Sequence, residues 1–252
     1  MTPAPVVPAT WPVWTGFTDD DGMTMKAINT IRMGGVDILP LVEGGKGVSI
    51  STGASSGHWA GAGGAGTVSI VNADSYDADG NVVPQIYRGR TRLEKHEELI
   101  DYAIRGGIDQ VRIAHEVAGG RGRIHANILW EMGGAERVIR GVLEGTKGLI
   151  NGLTCGAGMP YRLSDIATEH GVYYYPIVSS ARAFNALWRR SYHKSAELLG
   201  GVVYEDPWRA GGHNGLSNTE NPLAPEDPLP RVMALRKQMR AFGLDETPII
   251  MA

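Results

Sequence analysis

Three glycine-rich runs in this chain could bring backbone N–H groups against an anionic ligand: Glu43-Gly44-Gly45-Lys46-Gly47, Cys155-Gly156-Ala157-Gly158 and Ala210-Gly211-Gly212-His213-Asn214-Gly215. A residue without Cβ lets the main chain approach a ligand closely, and successive N–H groups can bind phosphate. Each run alone is equally well explained as a tight turn. Together they point to a flat, anionic cofactor. Flavin mononucleotide (FMN) fits better than a dinucleotide, because no G-x-G-x-x-G opens a helix after a strand with an acidic residue about 20 positions on. A Walker A motif is also absent.

His213 is the candidate catalytic residue. It follows two glycines, and an imidazole titrates near neutral pH, as general acid–base work requires. The alternative is a loop histidine that braces the turn or a phosphate. His125 lies inside an apolar run and reads as a core or rim histidine. His58, His96, His115, His170 and His193 read as solvated. No H-x-x-x-H or H-E-x-x-H spacing occurs, so no metal centre is expected. Cys155 could face a ligand, with packing as the default reading. Lys46 could balance flavin charge or simply be a loop lysine. Tyr173-Tyr174-Tyr175 could supply a phenol, but part of it must pack in a wall. Arg88, Arg90 and Arg92 alternate, as on a solvated strand edge or a grip for an anionic group. Trp208-Arg209 could wall a pocket, and Asp206-Pro207 implies an irregular loop there.

These residues need a scaffold that lines them up at one end. Short apolar runs at 36–42, 67–71, 123–130, 148–154, 172–178, 201–205 and 247–252 are β-branched or aromatic and mostly non-alternating, as buried parallel strands are. Helical spacing is visible between them at 94–105, 135–144, 164–169, 184–199 and 229–242, with Gly171, Gly200 and Gly243 as stops. Repeated strand–helix alternation implies a parallel α/β fold. A doubly wound sheet and a (β/α)₈ TIM barrel both satisfy it. The number of candidate strands, each followed by a polar or glycine-rich loop, favours the barrel, which places its ligand site at the strands' C-terminal ends. Seven strands are visible. The chain stops within the seventh, so the barrel is expected to be truncated there. Residues 1–36 read as an N-terminal extension capping the barrel floor, and residues 37–252 as the barrel domain. Residues 72–122 form a polar excursion with one clear helix. The Pro-rich stretch 217–230 reads as a lid-like loop.

Composition narrows the class. The chain has 252 residues, of which 35 are glycine, about twice ordinary usage. With 24 basic and 27 acidic residues the net charge is −3, so no strong field favours nucleic acid or an anionic membrane. One cysteine builds no internal disulfide framework, and the N-terminus lacks a basic signal-peptide region. A reducing, cytoplasmic setting and a small-molecule substrate are expected.

The ordered motifs resemble a family. Leu39-Pro40-Leu41-Val42-Glu43-Gly44-Gly45, Gly63-Gly64-Ala65-Gly66-Thr67, Asn127 within His125-Ala126-Asn127-Ile128, Gly156-Ala157-Gly158-Met159-Pro160, Val178-Ser179-Ser180 and Ala210-Gly211-Gly212-His213-Asn214-Gly215 are similar, in that order, to those of the nitronate monooxygenase (2-nitropropane dioxygenase) group. That group of FMN-binding, aldolase-type barrels also contains flavin-dependent enoyl reductases. The resemblance implies FMN across the barrel top. It places Glu43, Gly44, Gly45, Lys46 and Asn127 around the isoalloxazine and ribityl region, with Thr154 and Gly156 beside them. Ser179, Ala210, Gly211 and Gly212 approach the phosphate. It implies oxidation of alkyl nitronates with O₂ or, alternatively, an enoyl-reductase-like enzyme using NAD(P)H. The loop at 153–160 carries no histidine, where many nitronate monooxygenases have their base, and its Gly-Ala-Gly-x-Pro form resembles the reductase branch. With later phosphate loops missing, the chain as it stands is expected to bind FMN weakly or not at all. An inactive fragment is the remaining alternative.

Overall fold

Two short antiparallel strands, β1 (Ile31–Met33) and β2 (Val36–Ile38), precede the main sheet, joined through Gly34 and Gly35. The computed structural model describes residues 28–210, 216–217 and 220–252. After the hairpin come α1 (Gly53–Gly61), β3 (Ala65–Ser69), α2 (Arg92–Ala118), β4 (Arg123–Leu129), α3 (Ala135–Gly145), β5 (Gly152–Gly156) and α4 (Leu163–His170). Then follow β6 (Tyr173–Val178), α5 (Ala181–Arg190), β7 (Val202–Tyr204), α6 (Pro228–Ala241) and β8 (Ile249–Met251).

Strands β3 to β8 form one sheet in sequence order, every neighbouring pair parallel. A doubly wound sheet reverses its strand order at a switch point. This one never does, so it is an α/β partial barrel. The expected first strand, 36–42, is split. Residues 36–38 turn back in the hairpin, and the following stretch runs beside β3. There Val42 bridges Ala65 in parallel, the Ala65 N–H donates to the Leu41 carbonyl and the Glu43 N–H to the Ala65 carbonyl, each at 2.9 Å.

Alternation along the strands sorts the core into two faces. Val68, Ile124, Ala126, Ile128, Leu153, Cys155, Tyr174 and Val202 pack outward against the helices. Ala65, Tyr175 and Val203 point inward and meet Met33 and Ile38 of the hairpin. The Arg123 guanidinium, at the start of β4, donates to the Gly34 carbonyl. The hairpin therefore covers the N-terminal ends of the strands, and the boundary expected at residue 36 falls inside it. Residues 1–27 of the expected extension lie outside the described residues.

Helix α2 runs 27 residues, well beyond the expected 94–105. Its start is fixed by a capping box between Thr91 and Glu94. Gly106 and Gly107, which resemble a stop, sit where a Cβ would collide with the Ala73 carbonyl and the Val142 side chain. The expected helix 184–199 ends instead at Arg190, and two 3₁₀ turns, Tyr192–Lys194 and Ala196–Leu198, complete the connection. Helix α1, which sequence reasoning missed, is capped by the Thr52 hydroxyl accepting from the Ser55 N–H. Among the described residues no helix is long and apolar enough to cross a membrane.

Candidate functional site

The C-terminal ends of the strands gather most of the expected site. Glu43 follows the edge segment and is 3% exposed. Its Oε1 accepts from the Ser55 hydroxyl at 2.7 Å and its Oε2 from the Thr67 N–H at 3.1 Å. This carboxylate ties the segment to α1 and β3. Expected to line the cofactor, it is committed to protein partners and acts as a brace. Beyond it, the Ser51 hydroxyl donates to the Gly44 carbonyl (3.1 Å) and accepts from the Lys46 N–H (3.0 Å), folding the glycine loop on itself. The Lys46 side chain is exposed.

Gly45 rests on Asn127. The Asn127 Nδ2 donates to the Gly45 carbonyl at 3.4 Å, and a Cβ at Gly45 would lie 2.4 Å from the Asn127 Cβ. Gly45 has no side chain because Asn127 occupies that space. The N–H groups of Gly44 and Gly45 donate to no acceptor among the described residues. Asn127 and Thr154 are register partners, each buried on the inward face, with Ser69 and Tyr175 continuing the row. Gly156 is two residues further along β5, and its missing Cβ would sit 2.9 Å from the Ile177 Cβ, so strand packing accounts for it. The loops after β4 and β5 are joined by Trp130 and Glu131 N–H groups donating to the Gly156 and Ala157 carbonyls at 2.8 and 3.0 Å.

Ser179 leaves the end of β6 just before Ser180, whose hydroxyl caps α5 by accepting from the Ala183 N–H. The first turn of α5 thus opens at this end of the sheet, with the partial positive charge of a helix N-terminus. Ala210 follows β7 and donates its N–H to the Asp206 carbonyl at 3.0 Å. Gly211, Gly212 and the candidate catalytic His213 lie outside the described residues.

The remaining candidates fall elsewhere. Cys155 points outward among the helices, and burial pushes its thiol far above its ordinary range. Tyr174 also points outward and donates to the Ser195 carbonyl at 3.1 Å. Tyr175 points inward and stacks on His125 with centroids 4.4 Å apart. Burial, assisted by the Arg123 charge, pushes the His125 imidazole down to about 3. A neutral ring with a partnerless Nε2 is a packing element, not a base. Arg88 and Arg90 lie in a loop, not on a strand edge. Their N–H groups donate to Glu98 and Glu94 of α2. Gln110 was not foreseen. Its Oε1 accepts from the Gly53 N–H at 2.6 Å and its Nε2 donates to the Asp74 carbonyl at 2.7 Å, linking α1 to the excursion. A cleft of about 370 Å³, lined by Arg123, Lys147, Asn151 and His170, opens at the opposite, N-terminal ends of the strands.

No family model matches the chain, and no curated protein matches it in sequence. Solved structures do match in fold. FabK from Thermotoga maritima aligns with TM-score 0.50 at 16% identity, over 84% of this chain and 57% of its own. A point mutant of that protein gives TM-score 0.50 at 15% identity, over 83% and 60%. A nitroalkane oxidase from Streptomyces ansochromogenes gives TM-score 0.47 at 10% identity, over 84% and 64%. This chain therefore spans less than two thirds of the length of each. At these identities the likeness is one of fold.

Proposed function

We propose that this chain belongs to an FMN-dependent oxidoreductase of the nitronate monooxygenase type. The observation that carries the reading is the seat of Gly45 on Asn127. It closes a glycine loop with two free N–H donors over the C-terminal end of the sheet, where barrel enzymes bind ligands. The shared fold with FabK supports it. The residues present fit the ring end of a flavin: small backbone, neutral donors and a buried amide. Gly44, Gly45, Asn127 and Thr154 would hold that end. Ser179 and the first turn of α5 would favour the phosphate, with Ala210, Gly211 and Gly212. His213 is the proposed acid–base group.

When bound, FMN supplies reversible uptake of an electron or hydride equivalent, from an alkyl nitronate and then to O₂. A nitronate is already anionic, so the protein need only place N–H donors and positive charge near it. A second reading, an enoyl-reductase-like enzyme reduced by NAD(P)H, is favoured by the histidine-free loop at 153–160. Anaerobic bleaching of added FMN separates the two. Bleaching by alkyl nitronate alone is expected on the first reading, and bleaching by NAD(P)H alone transfers the assignment to the second. A fluorescence titration in which the chain quenches FMN weakly but saturably is expected. Absence of any quench removes the cofactor assignment for this chain by itself.

A further inference from the structure

The loop after β7 is fastened to the start of α6 at several points. Asp206 Oδ1 accepts from the N–H groups of Trp208 and Arg209, both at 2.9 Å. The Trp208 indole donates to the Asn221 carbonyl at 2.9 Å. Arg231, in the first turns of α6, lays its guanidinium over the Trp208 ring, 4.6 Å from the centroid. The same guanidinium donates to Glu220 and, at 3.0 Å, to Glu226. The Arg231 and Glu220 side chains are only 21% and 16% exposed, a more buried pair than the other ion pairs among the described residues.

The electrostatics agree with the geometry. Burial alone would lower the Arg231 guanidinium, yet Glu220 and Glu226 raise it above its ordinary value. The Ser217 N–H, and then Arg231, hold the Glu220 carboxyl below the usual carboxylate range. Within this cluster Tyr204 Oη, Asp206 Oδ2 and Arg231 Nε are buried without partners among the described residues. Leaving polar atoms in that state costs free energy that an apolar seam would not. The cluster fixes a geometry at the expense of stability.

We propose that Arg231 is a positioning residue. By stacking on Trp208 and pairing with Glu220 and Glu226, it latches residues 205–210 against the end of β7, where Ala210 would meet the cofactor phosphate. The phosphate half of this statement rests on the proposed function; the latch does not.

Native-state trypsin digestion after the exposed Arg209, read beside FMN titration, tests it in the parent, Arg231→Leu and Arg231→Lys. In Arg231→Leu the Arg209 cut is expected to be at least ~10-fold faster, with cuts at the other Lys and Arg sites shared with the parent unchanged, because only a local opening is released. Lysine keeps the charge but loses the planar stack, and its rate should fall between the two. FMN affinity should drop at least ~3-fold in Arg231→Leu and recover partly in Arg231→Lys. An unchanged Arg209 rate, or one that rises equally with all other cuts, overturns the latch. If Arg231→Leu fails to fold, Trp208→Leu removes the same stack with the same expectation. A parent that binds no FMN overturns the cofactor reading and the phosphate half, while the digestion still decides the latch.

Discussion

Replacing Glu43 separates a brace from a cofactor contact. Its two carboxylate oxygens are committed to the Ser55 hydroxyl and the Thr67 N–H. In Glu43→Leu the Thr67 N–H is left buried without an acceptor, which costs about 1–3 kcal/mol. The half-buried Ser55 hydroxyl can turn to water, so it adds little, and the expected loss is about 2–3 kcal/mol. In Glu43→Gln the amide oxygen still accepts from Thr67, and the NH₂ can donate to Ser55 once that hydroxyl rotates. The expected loss is then below about 1 kcal/mol. Equilibrium urea unfolding resolves the two, and FMN titration follows in parallel. Glutamine should keep the glycine loop and the parent's FMN affinity; leucine should lose both. A Glu43→Leu stability within about 0.5 kcal/mol of the parent would refute the brace. So would loss of FMN binding in Glu43→Gln at unchanged stability, which would make Glu43 the direct contact that its sequence position implies.

Other substitutions have definite signs. Gly66→Ala should destabilise by about 3 kcal/mol by urea unfolding, although strand preference alone favours alanine; its Cβ would lie 1.8 Å from the Ser56 carbonyl oxygen. His125→Phe should keep the stack on Tyr175 and change the acid limb of stability. The folded imidazole, lowered to about 3, stays neutral while the unfolded one takes up a proton below its ordinary 6.5. Stability is therefore lost as the pH falls through that window, and phenylalanine should flatten the slope by up to about 1.4 kcal/mol per pH unit. A slope identical to the parent's between pH 6 and 4 (roughly the accessible range) would refute this. Gln110→Leu strands the Gly53 N–H and the Asp74 carbonyl, with an expected cost of about 2 kcal/mol and faster amide exchange at the start of α1.

Six of the seven expected strand positions are recovered because short, mostly non-alternating apolar runs suit a helix-covered parallel sheet, of which β8 is the half-buried edge. The first failed for a local reason. Its run is interrupted by the exposed Asp37 and by Pro40, and residues 36–38 pair backward with β1 while Val42 bridges forward to β3. Helix α1 hid because Gly53, Ser55, Ser56, Gly57 and Gly61 are poor helix formers; it exists by packing on α2, where a Cβ at Gly57 would meet Val117 at 2.6 Å. The extent of α2 exceeds the expected 94–105 because the helix continues through Gly106 and Gly107, whose missing side chains allow close approach to Ala73 and Val142. At the site, glycine loops were legible but their individual reasons were not. Gly156 answers to Ile177 and Gly45 to Asn127, contacts between residues far apart in sequence that no local pattern encodes.

The segment between β3 and α2, the first part of the excursion, leaves Val82, Ile86 and Tyr87 exposed, yet it is anchored along one helix face. The Arg88 and Gly89 N–H groups meet Glu98, the Ile86 carbonyl accepts from the Tyr102 hydroxyl, and the Asp74 carbonyl accepts from Gln110. The first three partners are 10, 9 and 16 residues apart, short loops to close, and the last is 36 apart. Contacts of that kind form quickly once a helix is present. The excursion and α2 should therefore assemble early and together, before the distant strands find their register, giving the growing sheet a rigid rail to condense on.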